Sequence, residues 1–141
     1  MIEIINRQRH RRIVKEPYRE FSEQALEAID AGNRDAAIVF VSDEAIKELN
    51  RQFRGKNYAT DVLSFPNQAE KFETENKFNL GEVVISVERA AAQAKQNGLS
   101  FSNEVRQLIL HGLLHLRGYD HETDKGEMNR LELKLRKQLK I

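Results

Sequence analysis

The chain has no cysteine. That absence excludes a disulfide framework and is compatible with a reducing compartment. No apolar run reaches membrane length. Met1-Ile2-Glu3-Ile4-Ile5 passes directly into Arg7 and Arg9 with no apolar signal region. A soluble, cytoplasmic protein is expected. Strong charge of either sign is also missing, because 23 basic residues face 22 acidic ones for a net charge of +1. Nucleic-acid binding would therefore need a local basic patch, not the whole surface. There is no internal repeat and no low-complexity linker, so one domain over residues 1–141, large enough for a genuine core, is expected.

Histidine is scarce too, and its placement is informative. Of four histidines, three are His111, His115 and His121. His111 and His115 are spaced i, i+4, which puts both imidazoles on one face of a helix. Gly118 can end that helix and turn the chain so that His121 comes back to the same face. Three imidazoles with one open position are the usual ligand set of a catalytic zinc. Isolated helical histidines are ordinarily core or surface residues. Three in this pattern, in a chain nearly free of histidine elsewhere, favour a metal site. The skeleton H-x-x-x-H-x-x-G-x-x-H is shared with metzincin proteases, but those need Glu directly after the first His as general base. Gly112 stands there instead. A closed structural zinc would need a fourth protein ligand, for which Asp120 is the candidate.

The rest of the chain reads as βαβα, two strands and then three helices. Ile2 and Ile4 alternate with Glu3 as a first strand. The run Arg7, Arg9, His10, Arg11, Arg12 and Lys15 is either a solvated basic loop or a patch that faces phosphates. Phe21 to Ile29 repeats at helical spacing, with Gly32 as the stop. Ala36–Val41 is a β-branched apolar run, expected as a strand buried on both faces. Ser42 is an N-cap for the helix that carries Ile46, Leu49 and Phe53 toward Gly55. Val62–Phe65 is an edge strand ended by Pro66. Asp61 before it reads most simply as a turn residue that caps a backbone N–H. Gln68 to Asn79 is polar and reads as an exposed loop. Leu80–Val87 is a further strand, and Glu88–Asn97 an Ala-rich helix stopped by Gly98. Ser102 is expected to cap the histidine helix. That helix is apolar nearly all round and so belongs in the core, with Gly112 leaving room for a close neighbour. Thr123 is expected to cap a last helix carrying Met128, Leu131, Leu135 and Leu139. The expected fold class is α+β, a small four-stranded mixed sheet packed with about five helices, with the metal site on a buried central helix.

His111-Gly112-Leu113-Leu114-His115-Leu116-Arg117-Gly118-Tyr119-Asp120-His121 resembles the signature of the YbeY-type endoribonucleases, bacterial rRNA maturation factors. Leu49-Asn50, Arg54, Thr60-Asp-Val-Leu-Ser-Phe-Pro66 and Leu80-Gly-Glu82 resemble the family's other motifs in the same order, and Met128 and Glu132 fit its closing helix. The similarity runs from about Asp43 to the C-terminus. It implies a single-strand-specific endoribonuclease that uses one Zn2+ per chain. It also implies action on the 3′ end of small-subunit rRNA and in ribosome quality control. The implied partners are single-stranded RNA, rRNA and the small ribosomal subunit. His111, His115 and His121 match the metal ligands. Arg54 matches an arginine implicated in catalysis, so Arg54 and the ligand His111 are the candidate catalytic residues.

The chemistry agrees with that resemblance. A zinc held by three histidines keeps a water in its fourth position and lowers that water's pKa toward neutrality. Negative charge builds on the phosphoryl oxygens during attack, and the planar fork of Arg54 matches two of them. Asp120 could serve as a base or could orient a ligand histidine. The alternatives are a ribosome-associated binding module with a structural zinc, and another metal-dependent hydrolase. Gly112 argues against a protease.

Overall fold

The computed structural model describes residues 1–67, 78–119 and 126–141. Five helices and one four-stranded mixed sheet lie among them, as the α+β reading expects. The strands are β1 (Ile2–Asn6), β2 (Asp35–Val41), β3 (Val62–Pro66) and β4 (Asn79–Ser86). They pair in the order β1-β2-β4-β3. β1 and β4 run parallel to β2, and β3 runs antiparallel to β4. β2 and β4 are central, which explains their nearly continuous Val, Ile and Ala sequences: both faces are covered. β3 is an edge strand, and Pro66 is tolerated at its end because no partner there requires its missing N–H.

The helices are α1 (Lys15–Ala28), α2 (Asp43–Arg54), α3 (Val87–Asn97), α4 (Phe101–Leu116) and α5 (Glu127–Leu139). α4 packs against β3, β4, α1, α3 and α5. Its Val105, Ile109, Leu110, Leu113 and Leu114 are fully buried beside Ile38, Phe40, Val83 and Ile85 of the sheet. A side chain on Gly112 would lie 2.5 Å from Val83 Cγ1, so its hydrogen lets the helix settle onto β4. The opposite face of the sheet carries a smaller core of Val39, Val41, Ile46, Leu63 and Val84, and α2 is the helix over it.

Several boundaries differ from the sequence reading. α1 begins at Lys15, inside the basic run, and ends at Ala28 with Ile29 as its C-cap, before Gly32. The Ser100 hydroxyl caps α4 by accepting from Asn103 N–H at 3.1 Å, whereas Ser102 lies within the helix. Ser and Thr side chains accept from backbone two or three residues ahead, and both serines suit that role by type. Ser86 likewise caps α3, which therefore starts at Val87, the residue assigned to the preceding strand. α5 begins at Glu127 with Gly126 in the cap position, and Thr123 lies outside the described residues. Asn79 belongs to β4, while residues 68–77 of the expected loop are outside the described residues.

Candidate active site

His111 and His115 occupy the C-terminal half of α4, on the flank facing β3. Their Nε2 atoms face each other at 3.1 Å, and the ring centroids are 4.6 Å apart. Both side chains are partly exposed, unlike the leucines around them. The helix stops just beyond them. Gly118 takes a positive φ of 107°, and Gly118 and Tyr119 return hydrogen bonds to the carbonyls of His115 and Leu114. His121, the third expected ligand, and Asp120 lie outside the described residues. Among the described residues no group of three metal-binding side chains occurs.

His111 is held from behind. Its Nδ1 donates to Glu132 Oε1 at 2.6 Å, and Arg136 Nη2 donates to Glu132 Oε2 at 2.8 Å. A carboxylate can only accept, so Nδ1 carries the proton and Nε2 keeps its lone pair toward the cleft. This is the arrangement in which a carboxylate orients a metal-binding imidazole. Two zinc ligands at about 2.0–2.1 Å from the ion in tetrahedral geometry would be about 3.3 Å apart, close to the observed Nε2 separation. The two described imidazoles therefore fit a zinc ion in donor type and spacing, and His111 fits it in tautomer as well. Glu132 was noted in the sequence only as part of a resemblance. A signal was present, because Glu132 falls in the buried stripe of α5 with Met128 and Leu135. A carboxylate in such a stripe needs a partner.

A cleft of about 620 Å³ opens in front of the histidines, lined also by Arg54, Asp61, Ser64, Pro66 and Tyr119. Arg54 is the last residue of α2, exposed, with Gly55 in the left-handed conformation after it. The fold thus brings Arg54, His111 and His115 to one cavity, although more than fifty residues of chain separate the arginine from the first histidine. The loop between Arg54 and β3 is shaped by Asn50. This side chain is fully buried in α2, and its Nδ2 donates to Tyr58 carbonyl at 2.9 Å. Asp61 has the capping role its turn position suggests: its Oδ1 accepts from Val62 N–H at 2.8 Å. Ser64 donates its hydroxyl to the Gly112 carbonyl at 3.2 Å, tying the edge strand to the histidine helix.

The basic run divides. Arg7 continues the β1 ladder by donating its N–H to Phe40 carbonyl, while the Arg11 guanidinium lies 3.9 Å from the Phe101 ring centroid. Lys15 starts α1. None of these residues lines the cleft.

The family model for endoribonuclease YbeY matches residues 3–140. The endoribonuclease YbeY of Nautilia profundicola is 49% identical over 109 residues, covering 77% of this chain and 75% of that protein. That of Thermodesulfovibrio yellowstonii is 37% identical and covers 99% of this chain and 97% of its own. The solution structure of a Thermotoga maritima protein, 29% identical, superposes with a TM-score of 0.66 over 99% of this chain and 89% of that one. With nearly its whole length matched by the family model, this chain belongs to the endoribonuclease YbeY family.

Proposed function

We propose that this protein is a zinc-dependent endoribonuclease of the cytoplasm that cleaves single-stranded RNA. Its substrate is rRNA on the small ribosomal subunit, where it matures the 3′ end and serves ribosome quality control. Family membership supports the nuclease and rRNA part of this reading. One observation carries the metal part: the paired Nε2 atoms at 3.1 Å, with His111 oriented by Glu132. His111, His115 and His121 would hold the ion, one per chain. Among the described residues no helix is long and apolar enough to cross a membrane.

When bound, zinc would supply Lewis acidity at the cleft, toward both water and the scissile phosphate. The chain's own residues do the rest. Glu132 fixes the His111 tautomer so that its lone pair points into the cleft. Arg54 carries a permanent charge and a two-pronged donor set, and it binds the phosphoryl oxygens as their charge grows. It is no ligand, because a cation does not bind a cation. Val62 and Pro66 form an apolar wall that excludes water from one side of the reacting phosphate. The cleft's volume is that of a small-ligand pocket, which admits an extended strand nucleotide by nucleotide and favours an unpaired substrate.

The test compares purified protein, metal-free and zinc-reloaded, on a single-stranded RNA and on the same sequence in a duplex. Cleavage of the single strand should appear only after reloading. His115→Ala should lose bound zinc, cleavage and some thermal stability together. A reloaded protein that holds stoichiometric zinc and binds ribosomal subunits without cutting RNA would instead make the zinc structural.

A further inference from the structure

A second cavity, about 650 Å³, lies on the other side of β3. Strand alternation produces it. Val62 and Ser64 turn toward α4 and the histidines, while Leu63 and Phe65 turn toward α2. Among the described residues α2 leaves part of that sheet face open, and the floor of the groove is Val39 and Val84. Phe53 of α2 stands at its wall, 65% exposed, in edge-to-face contact with Phe65 at 5.2 Å between centroids. An exposed phenylalanine beside a half-exposed one is a stacking platform left without a covering side chain among the described residues.

Charged residues, Arg7, Arg54 and Glu82, border the apolar lining of the groove. Arg7 lies just past the row Asn6, Phe40, Ile85, where its N–H meets the Phe40 carbonyl. Glu82 lies in the row of Ala37 and Phe65, three residues down β2. At about 3.3 Å per residue these rows are about 10 Å apart along the strands, and β2 between β1 and β4 adds about 10 Å across the sheet, a span shared by the long Arg7 side chain and a bound nucleotide. Phe65, the contact of Phe53, pairs with Glu82 on the neighbouring strand, so the aromatic wall and the carboxylate adjoin and the cation stands apart from both. An aromatic face beside a carboxylate, with a cation farther off, complements a nucleotide: base face, exocyclic amine and phosphate. The groove also adjoins the candidate active site across β3, since Arg54, Leu63, Ser64 and Pro66 border both.

We propose that this groove is a nucleotide subsite for the RNA strand whose scissile phosphate occupies the histidine cleft. The strand crosses the outer edge of β3, which pairs with no other strand among the described residues. Arg54 stands at the crossing, an unpaired base stacks on Phe53, its exocyclic amine donates to Glu82, and a phosphate meets Arg7. Base pairing would bury the face and the amine that the groove reads, so the subsite itself selects unpaired RNA. This rests on the nuclease reading above.

The test measures binding by the zinc-loaded protein of a 2′-O-methyl single-stranded oligonucleotide, checked to remain intact, and of the same oligonucleotide with one abasic position moved along its length. Phe53→Ala should weaken binding roughly five- to a hundred-fold, the range for loss of one stacked base. One abasic position should cost the unsubstituted protein a similar factor and cost Phe53→Ala nothing more, the signature of a direct pair. Arg7→Gln should weaken binding of every oligonucleotide equally. Leu133→Ala, a change of an exposed apolar residue on α5, serves as control and should leave binding unaltered. Thermal unfolding confirms the fold of each variant. If Phe53→Ala binds normally, or its loss adds to that of every abasic position, the subsite is wrong and the groove belongs to a protein contact. Cleavage of RNA by that variant would then leave the nuclease reading standing. If the unsubstituted protein neither binds nor cleaves single-stranded RNA, both readings fall.

Discussion

At the scale of single residues, the candidate site separates groups that hold a metal from groups that handle phosphate. Glu132 is 7% exposed and touches His111, not the cleft's centre. Glu132→Gln keeps an acceptor for Nδ1–H but removes the charge. It should weaken zinc binding about ten- to a hundred-fold, the usual scale for losing an orienting partner. Competition with a chelator measures this directly, and unchanged affinity would leave Glu132 with a packing role only. Arg136 is a third exposed, so in this variant it can turn to water without being stranded. Arg54 predicts the opposite pattern. Arg54→Lys retains the charge but not the fork geometry. Zinc content and unfolding temperature should stay unchanged while RNA cleavage falls roughly ten- to a thousand-fold. Unaltered cleavage by zinc-replete Arg54→Ala would remove Arg54 from catalysis.

At the scale of elements, the histidine helix and the edge strand form one unit. α4 approaches β4 closely at Gly112, a residue between the two histidines on whose carbonyl Ser64 is anchored. Gly112→Ala would drive a methyl group into Val83, which is fully buried and β-branched and so has little freedom to turn away. A loss of about 1–3 kcal/mol of stability is expected from overpacking, despite alanine's better helix propensity. Adding Val83→Ala should recover part of it. Denaturant unfolding of the two single variants and the double one supplies the check, and a neutral or stabilising Gly112→Ala would show that the helix can lift off the sheet without cost. The metzincin skeleton fails in this chain at the same position. A glutamate at position 112 would have to fit where a methyl group does not.

At the scale of the whole molecule, a net charge of +1 cannot hold RNA by overall attraction. Binding has to come from a few cations on one side of the molecule. Arg7 and Arg54 border the groove, whereas Arg11 is engaged with Phe101. Each phosphate contact to a single strand contributes about 0.7 to the slope of log K against log salt concentration. The double variant Arg7→Gln, Arg54→Gln should therefore lower that slope by about 1.4. Arg11→Gln should leave the slope alone and lower thermal stability slightly, by loss of the cation–π contact. A slope that follows Arg11 and ignores Arg7 would return RNA binding to the loop after β1.

The amino-acid sequence by itself determined what depends on near neighbours in the chain. The strand pattern, the apolar girth of α4 and the pairing of His111 with His115 each follow from a period of two or four residues, and the structure reproduces them. Helix starts were less legible, because Ser100 and Ser102 are equally good caps by type and only packing decides which turn comes first. Tertiary structure alone decided the contacts between distant segments. Glu132 meets His111 across 21 residues because α5 packs beside α4. Arg54 reaches the cleft because Asn50 holds the loop that follows it, and because β3 returns to pair with β4. The groove beside Phe53 exists because, among the described residues, the twelve-residue α2 covers only part of a face of four strands. A local pattern shows that a residue is apolar, but whether anything covers it is settled only when the layers pack.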